Sequence, residues 1–120
     1  MKPIFIYYSK CSTCRKAAKW LSDNNIDVEK RDIIDCNPNV EELKLWSSKY
    51  SLMLPKIFNT SGIKYRELNL KSVVNVASDD ELLEILASDG KLIKRPVLLS
   101  SESILFGFNE DRWSDTLLEN

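Results

Sequence analysis

The sequence predicts an α/β fold: a four-stranded mixed sheet with a β-α-β opening, an inserted helical block at about residues 38–90, and a β-β-α close. Three observations predict it. A short apolar run, Ile4-Phe5-Ile6-Tyr7-Tyr8, gives way at Cys11-Ser12-Thr13-Cys14 to helical spacing of apolar residues. The middle of the chain carries helix-capping signals and no strand pattern. After it, two apolar runs return on either side of Ser100-Ser101-Glu102-Ser103, as in a hairpin.

Residues 3–8 form a buried strand, short and rich in β-branched and aromatic side chains. A helix follows over 12–24, with Cys14, Ala17, Ala18 and Leu21 on its apolar face and Arg15, Lys16, Lys19 and Asp23 on its wet side. Asn24-Asn25 ends it. Ile26 and Val28 begin a second strand reaching Ile33, and a helix between two strands implies a right-handed crossover and parallel pairing. Asp35-Cys36-Asn37-Pro38 is a turn. Asn39, with Glu42 three residues on, caps a helix to about Tyr50 that buries Leu43, Trp46 and Tyr50. Leu54 to Tyr65 is helical but broken by Pro55 and by Asn59-Thr60-Ser61-Gly62, and residues 66–76 hold another short helix. Ser78-Asp79-Asp80-Glu81 is a capping box before Leu82–Ala87, and Gly90 is the stop. Pro96 to Leu99 and Ile104 to Phe108 are the hairpin strands, and Asn109 caps a last helix from Glu110 to about Leu117. Trp20, Trp46 and Trp113 are assigned to packing. No linker-like stretch bounds the helical block, so one domain over 1–120 with an insertion at 38–90 is expected.

Composition narrows the chemistry. Net charge is -1, so nothing global points to direct nucleic-acid or membrane binding, and a monomer is expected. Met1-Lys2-Pro3 is followed by five apolar residues before charge resumes at Lys10, so no signal peptide is expected and the chain is placed in the cytoplasm, where thiols stay reduced. With no histidine, no Cys-His dyad, Ser-His-Asp triad or Cys₂His₂ zinc site can be built. Three cysteines fall short of a closed zinc site, so no metal is expected. There is no GxGxxG and no P-loop.

The candidate chemistry lies in Cys11-Ser12-Thr13-Cys14. Two thiols sit where a strand hands over to a helix, facing unpaired backbone N–H groups and the positive end of the helix dipole. Such a site lowers a cysteine pKa, and Lys10, Arg15 and Lys16 add positive charge. Cys11 therefore reads as a thiolate nucleophile and Cys14 as a resolving thiol. Lys19, Lys30 and Arg31 extend the basic character, against an acidic tail with Glu110, Asp111, Asp115 and Glu119. A basic surface beside a thiol suits an anionic small molecule or an acidic protein face. Tyr8 flanks the thiol and could gate or polarise it. Cys36, in a turn without neighbouring cations, is given no role.

The element order, with CxxC at the first strand–helix junction and a proline opening the third strand, resembles the thioredoxin-like plan. Four blocks carry a closer resemblance: Tyr8-Ser9-Lys10-Cys11-Ser12-Thr13-Cys14-Arg15-Lys16-Ala17; Phe58-Asn59-Thr60-Ser61-Gly62 running into Tyr65-Arg66-Glu67-Leu68-Asn69-Leu70; Leu92-Ile93-Lys94-Arg95-Pro96; and Leu105-Phe106-Gly107-Phe108-Asn109-Glu110. In that order they resemble the arsenate reductase-related family that also contains the Spx-type transcriptional regulators, and more its reductase-like branch.

The resemblance implies that Cys11 is the nucleophile, that Arg95 lies beside it to hold an oxyanion or carboxylate, and that Pro96 is the cis-proline opposite the thiol. It implies an anion- or substrate-binding set of Lys10, Ser12, Thr13, Arg15, Asn59 and Pro96. Arsenate reductases of the family place three arginines around one cysteine. Here only Arg95 has a counterpart; the middle position falls near Asn59 and the last near Phe106-Gly107. Nor is there a C-x₅-R loop, since Ala17 and Trp20 stand six residues after the two thiols. The expectation is a cytosolic thiol–disulfide redox protein with no bound cofactor. Glutathione would serve as co-substrate, or a glutaredoxin- or thioredoxin-type protein as redox partner. The alternatives are an Spx-like redox-sensing regulator binding the RNA polymerase alpha subunit, and a glutathione/glutaredoxin-dependent arsenate reductase.

Overall fold

The computed structural model describes residues 2–118, and its contacts group the chain into two compact units: 1–32 with 95–120, and 33–94. The first unit holds the sheet. Strand β1 (Ile4–Tyr7) leads into helix α1 (Ser12–Asp23) and strand β2 (Glu29–Asp32); strands β3 (Val97–Leu99) and β4 (Ile104–Phe106) precede a last helix, Glu110–Leu117. The strand order is β2-β1-β3-β4, with β1 and β2 parallel and the other neighbours antiparallel. This is the mixed sheet of the thioredoxin-like plan.

The registers explain which side chains are buried. Phe5 lies opposite Leu98, and Ile6 opposite Val97. Side chains alternate along a strand, so Phe5 and Leu98 share one face and join Ala17 and Leu21 of α1 and Trp113 of the last helix in a buried cluster. Trp113 stands at its centre. Its ring meets Phe5, Trp20 and Phe108 edge-on, with centroids 6.2, 6.2 and 5.0 Å away, and its Nε1–H donates to the Gly107 carbonyl at 3.1 Å. The acidic last helix is thus anchored by one large buried aromatic whose polar atom is satisfied.

Two strand boundaries differ from expectation by two or more residues. β2 begins at Glu29 rather than Ile26. Its pairing is limited by the four residues of β1. Asn25 adopts a left-handed φ of 56°, and Ile26 and Val28 pack against the cluster from an unpaired approach segment. β4 stops at Phe106 because Gly107 turns the chain at φ 81°, with its N–H donating to the Pro96 carbonyl at 2.8 Å. In the hairpin turn, Ser100 Oγ accepts from the Ser103 N–H at 3.2 Å.

The second unit holds α2 (Val40–Tyr50), α3 (Ile63–Glu67) and α4 (Asp79–Ser88), joined by 3₁₀ turns at Leu54–Ile57, Leu70–Ser72 and Gly90–Leu92; the helix ending the first unit is accordingly α5. Both predicted caps form. Asn39 Oδ1 accepts from the Glu42 N–H at 2.8 Å, and Ser78 and Glu81 cap each other's backbone N–H groups. Leu43, Trp46, Leu82, Leu83 and Leu86 are buried; Tyr50, expected with them, is only half-buried. The helix expected over 66–76 is instead the end of α3 and a single 3₁₀ turn. Phe58 and Ile93 form an isolated antiparallel bridge, a trace of strand pairing where none was expected. Among the described residues no helix is long and apolar enough to cross a membrane.

Candidate active site

The site grows out of the β1–α1 junction. Tyr8 leaves β1 and is tied at both main-chain atoms: its carbonyl accepts from the Cys11 N–H at 3.0 Å, and its own N–H points at Cys14 Sγ, 3.4 Å away. Cys11 is the N-cap of α1 in extended conformation, and its carbonyl accepts the first helical bond, from the Arg15 N–H, at 3.1 Å. The helical turn places Cys14 next to it, one residue half-exposed and the other 2% exposed. No acidic residue stands in the first turn of α1 to neutralise the dipole.

Arg95 reaches the same place from the opposite end of the chain. It precedes β3, the strand paired to β1, and the Arg95–Pro96 peptide is cis. Its guanidinium carbon lies over the Tyr8 ring, 4.9 Å from the centroid.

These neighbours set the two thiols apart. Burial alone disfavours the Cys11 thiolate. Hydrogen bonds from the Cys14 backbone N–H and side chain, and then from Arg95 together with its charge, outweigh that cost and hold the Cys11 thiol below its ordinary value. Cys14 goes the other way. Burial, reinforced by a hydrogen bond to Cys11 and by the Cys11 charge, pushes its thiol up to about 12, against the lowering effect of the Tyr8 N–H and Arg95. One thiol is half-exposed and held below its ordinary value; its neighbour is buried and raised above it.

Of the expected residues, the structure brings Cys11, Cys14 and Arg95 together, with Pro96 buried beside Arg95 in the chain. Ser12 and Thr13 are exposed on the first turn of α1, and Lys10 is exposed before it. Arg15 donates to the Ser9 carbonyl at 3.0 Å, closing the loop that carries the thiol. Asn59 belongs to the second unit. There its amide donates to the Lys91 carbonyl at 3.4 Å and accepts from the Ser61 hydroxyl at 3.3 Å, so its side chain is engaged in its own loop. Cys36 is an exposed residue of the second unit. The seat of Arg95 on Tyr8 had no signal in the sequence, because the two are far apart in the chain and no spacing connects them.

Residues 6–116 match the model of the ArsC family. The chain is 49% identical over 115 residues to the uncharacterized protein YusI of Bacillus subtilis, spanning 96% of this chain and 98% of that protein. It is 30% identical to the regulatory protein MgsR of the same organism, over 88% of this chain and 82% of that one. The crystal structure of an ArsC family related protein from Bacteroides fragilis superposes with a TM-score of 0.90 at 45% identity, covering 96% and 97% of the two chains.

Proposed function

The chain belongs to the ArsC family, and within it we propose that it is a thiol–disulfide redox protein whose nucleophile is Cys11 and whose resolving thiol is Cys14. The observation that carries the reading is the contrast between the two sulfurs: Cys11 half-exposed and held below its ordinary value, Cys14 buried and pushed up to about 12.

The Cys11 thiolate attacks one sulfur of a disulfide such as a mixed disulfide between glutathione and another thiol. A Cys11–S–S–R bond forms as the substrate S–S bond breaks, and the first thiolate leaves and takes up a proton. Cys14 then gives up its proton and attacks the Cys11 sulfur. The second thiol is released, and a Cys11–Cys14 disulfide remains. Two electrons have passed from the protein to the substrate, and glutathione or a glutaredoxin-type protein returns them. Once Cys11 is in the mixed disulfide, its charge no longer disfavours a Cys14 thiolate, while the Tyr8 N–H and Arg95 still favour one. The first step thus prepares the second. Arg95 acts on Cys11, and in the sequence Asn59 falls near the position where arsenate reductases of the family carry a further arginine; both favour disulfide exchange over reduction of a multiply charged oxyanion such as arsenate.

Cys14→Ser tests the order of events. With oxidised glutathione, this variant is expected to stop as a stable Cys11–glutathione adduct seen by peptide mass spectrometry, whereas the unaltered protein proceeds to the intramolecular disulfide. In the unaltered protein, resolution should quicken by about tenfold per pH unit below the Cys14 value, because only the Cys14 thiolate attacks. An adduct confined to Cys36 would overturn the proposal.

The 30% identity with a regulatory protein favours a second reading. In it, the same dithiol switches binding to a transcription partner such as the RNA polymerase alpha subunit. A Cys11–Cys14 disulfide that forms readily, supports no turnover with glutathione and changes affinity for that subunit would select it.

A further inference from the structure

We propose that the Tyr8 ring is a positioning residue of the thiol site: its face carries the Arg95 guanidinium and thereby holds that cation against Cys11. The inference rests on the reading of Cys11 as the nucleophile. It stands on how completely Tyr8 is fixed. Its carbonyl accepts from the Cys11 N–H at 3.0 Å, its N–H points to Cys14 Sγ at 3.4 Å, and its ring is half-buried. A ring so tethered is a rigid platform beside both sulfurs. The guanidinium carbon 4.9 Å from its centroid is within cation–π range, where the negative quadrupole of the aromatic face attracts the cation.

A planar guanidinium can stack on a ring and still donate from its edge. The Arg95 guanidinium carbon sits over the Tyr8 ring, and the same side chain favours the Cys11 thiolate by hydrogen bonding and by its charge. The neighbouring Arg15 is turned to the Ser9 carbonyl, and Lys10 is exposed. The cation that bonds the Cys11 sulfur is thus the one seated on Tyr8. The hydroxyl of Tyr8 has no part in this; the ring face does.

The test replaces Tyr8 while leaving its backbone in place. Tyr8→Phe keeps the aromatic face. Incorporation of pentafluorophenylalanine at position 8 keeps a ring of similar shape but inverts its quadrupole, so it separates the cation–π contact from packing. In the full reduced chain, the rate of Cys11 alkylation is read by peptide mass spectrometry with neutral iodoacetamide and with anionic iodoacetate, across pH. A cation fixed at Cys11 speeds the anionic reagent over the neutral one. Tyr8→Phe should retain that preference and the low pH midpoint. The fluorinated ring should cut the preference by about three- to tenfold and raise the midpoint. Equal behaviour of the two rings, with a low midpoint in the unaltered protein, would overturn the role of Tyr8 alone. A midpoint at the ordinary cysteine value in the unaltered protein would overturn that role and the nucleophile reading together. Circular dichroism of both variants shows that each is folded.

Discussion

Cys11→Ser is expected to abolish disulfide exchange, lowering the rate with a mixed disulfide of glutathione and a small thiol by at least about a hundredfold, because a serine hydroxyl stays protonated and does not displace a thiolate. The substitution is nearly isosteric at a half-exposed N-cap, and serine is itself a favoured N-cap, so the fold should be retained or slightly stabilised. Cys36→Ser is the matched control. Cys36 is exposed and lies in the second unit, and its loss should leave the exchange rate unchanged. Steady-state consumption of NADPH, with that mixed disulfide as substrate, reduced glutathione as reductant and glutathione reductase recycling the oxidised glutathione formed, reads both variants. A rate that survives Cys11→Ser and falls with Cys36→Ser would move the chemistry to the wrong thiol.

The largest expected effect on stability is at Gly90. A Cβ there would run into the Ile33 carbonyl group and stand 3.3 Å from Asn37 Cβ. The first contact is with main chain, which cannot swing aside as a side chain would. Gly90→Ala should therefore cost about 3 kcal/mol or more through forced backbone movement. Thermal unfolding should move down by about 10 °C for a chain of this size. Gly62→Ala is the contrast. Its Cβ would meet Asn59 Nδ2 at 2.7 Å, the end of a side chain that can rotate, so a much smaller loss is expected.

Gly90 also shows what the sequence could and could not convey. Its place after an apolar helical run marked the end of α4 correctly. Yet the residue is required for the close approach of Ile33 and not for a left-handed cap; the C-cap is Asp89, at φ −162°. The elements that were legible are those with a strong local cause. The period-2 and period-3.6 patterns located β1, α1 and the hairpin, and the Asn39 and Ser78 caps located α2 and α4. What lay outside local reach was set by tertiary partners. Residues 54–76 settle into short turns because their main chain bonds across the unit, as when the Asn59 N–H donates to the Leu92 carbonyl at 2.8 Å. β2 was over-extended because Ile26 and Val28 look like strand residues, and do pack like them, without a partner strand.

At the candidate site, Cys11 and Cys14 were legible because three-residue spacing at a helix start brings two thiols together without help from the rest of the chain. Arg95 was legible only through family resemblance, since a lone arginine carries no spacing signal. The pairing of Tyr8 with Arg95 was not legible at all. It arises because β3 pairs antiparallel to β1, which brings the residue before β3 to the end where β1 exits.

Two adjacent thiols of opposite character meet at the β1–α1 junction, and one measurement reads both. The reduced protein is alkylated with iodoacetamide in short pulses across a pH series, and each cysteine is quantified by peptide mass spectrometry. The folded Cys11 value is depressed, so its thiolate is already present below the ordinary cysteine value and is lost only as pH falls through the lowered one. Cys14 is raised, so its thiolate is absent until pH climbs toward about 12. The prediction is that Cys11 labels with a midpoint below the ordinary cysteine value while Cys14 stays unlabelled throughout the neutral range. Equal midpoints for the two, or a Cys14 that labels first, would contradict the assignment of Cys11 as nucleophile and Cys14 as resolving thiol.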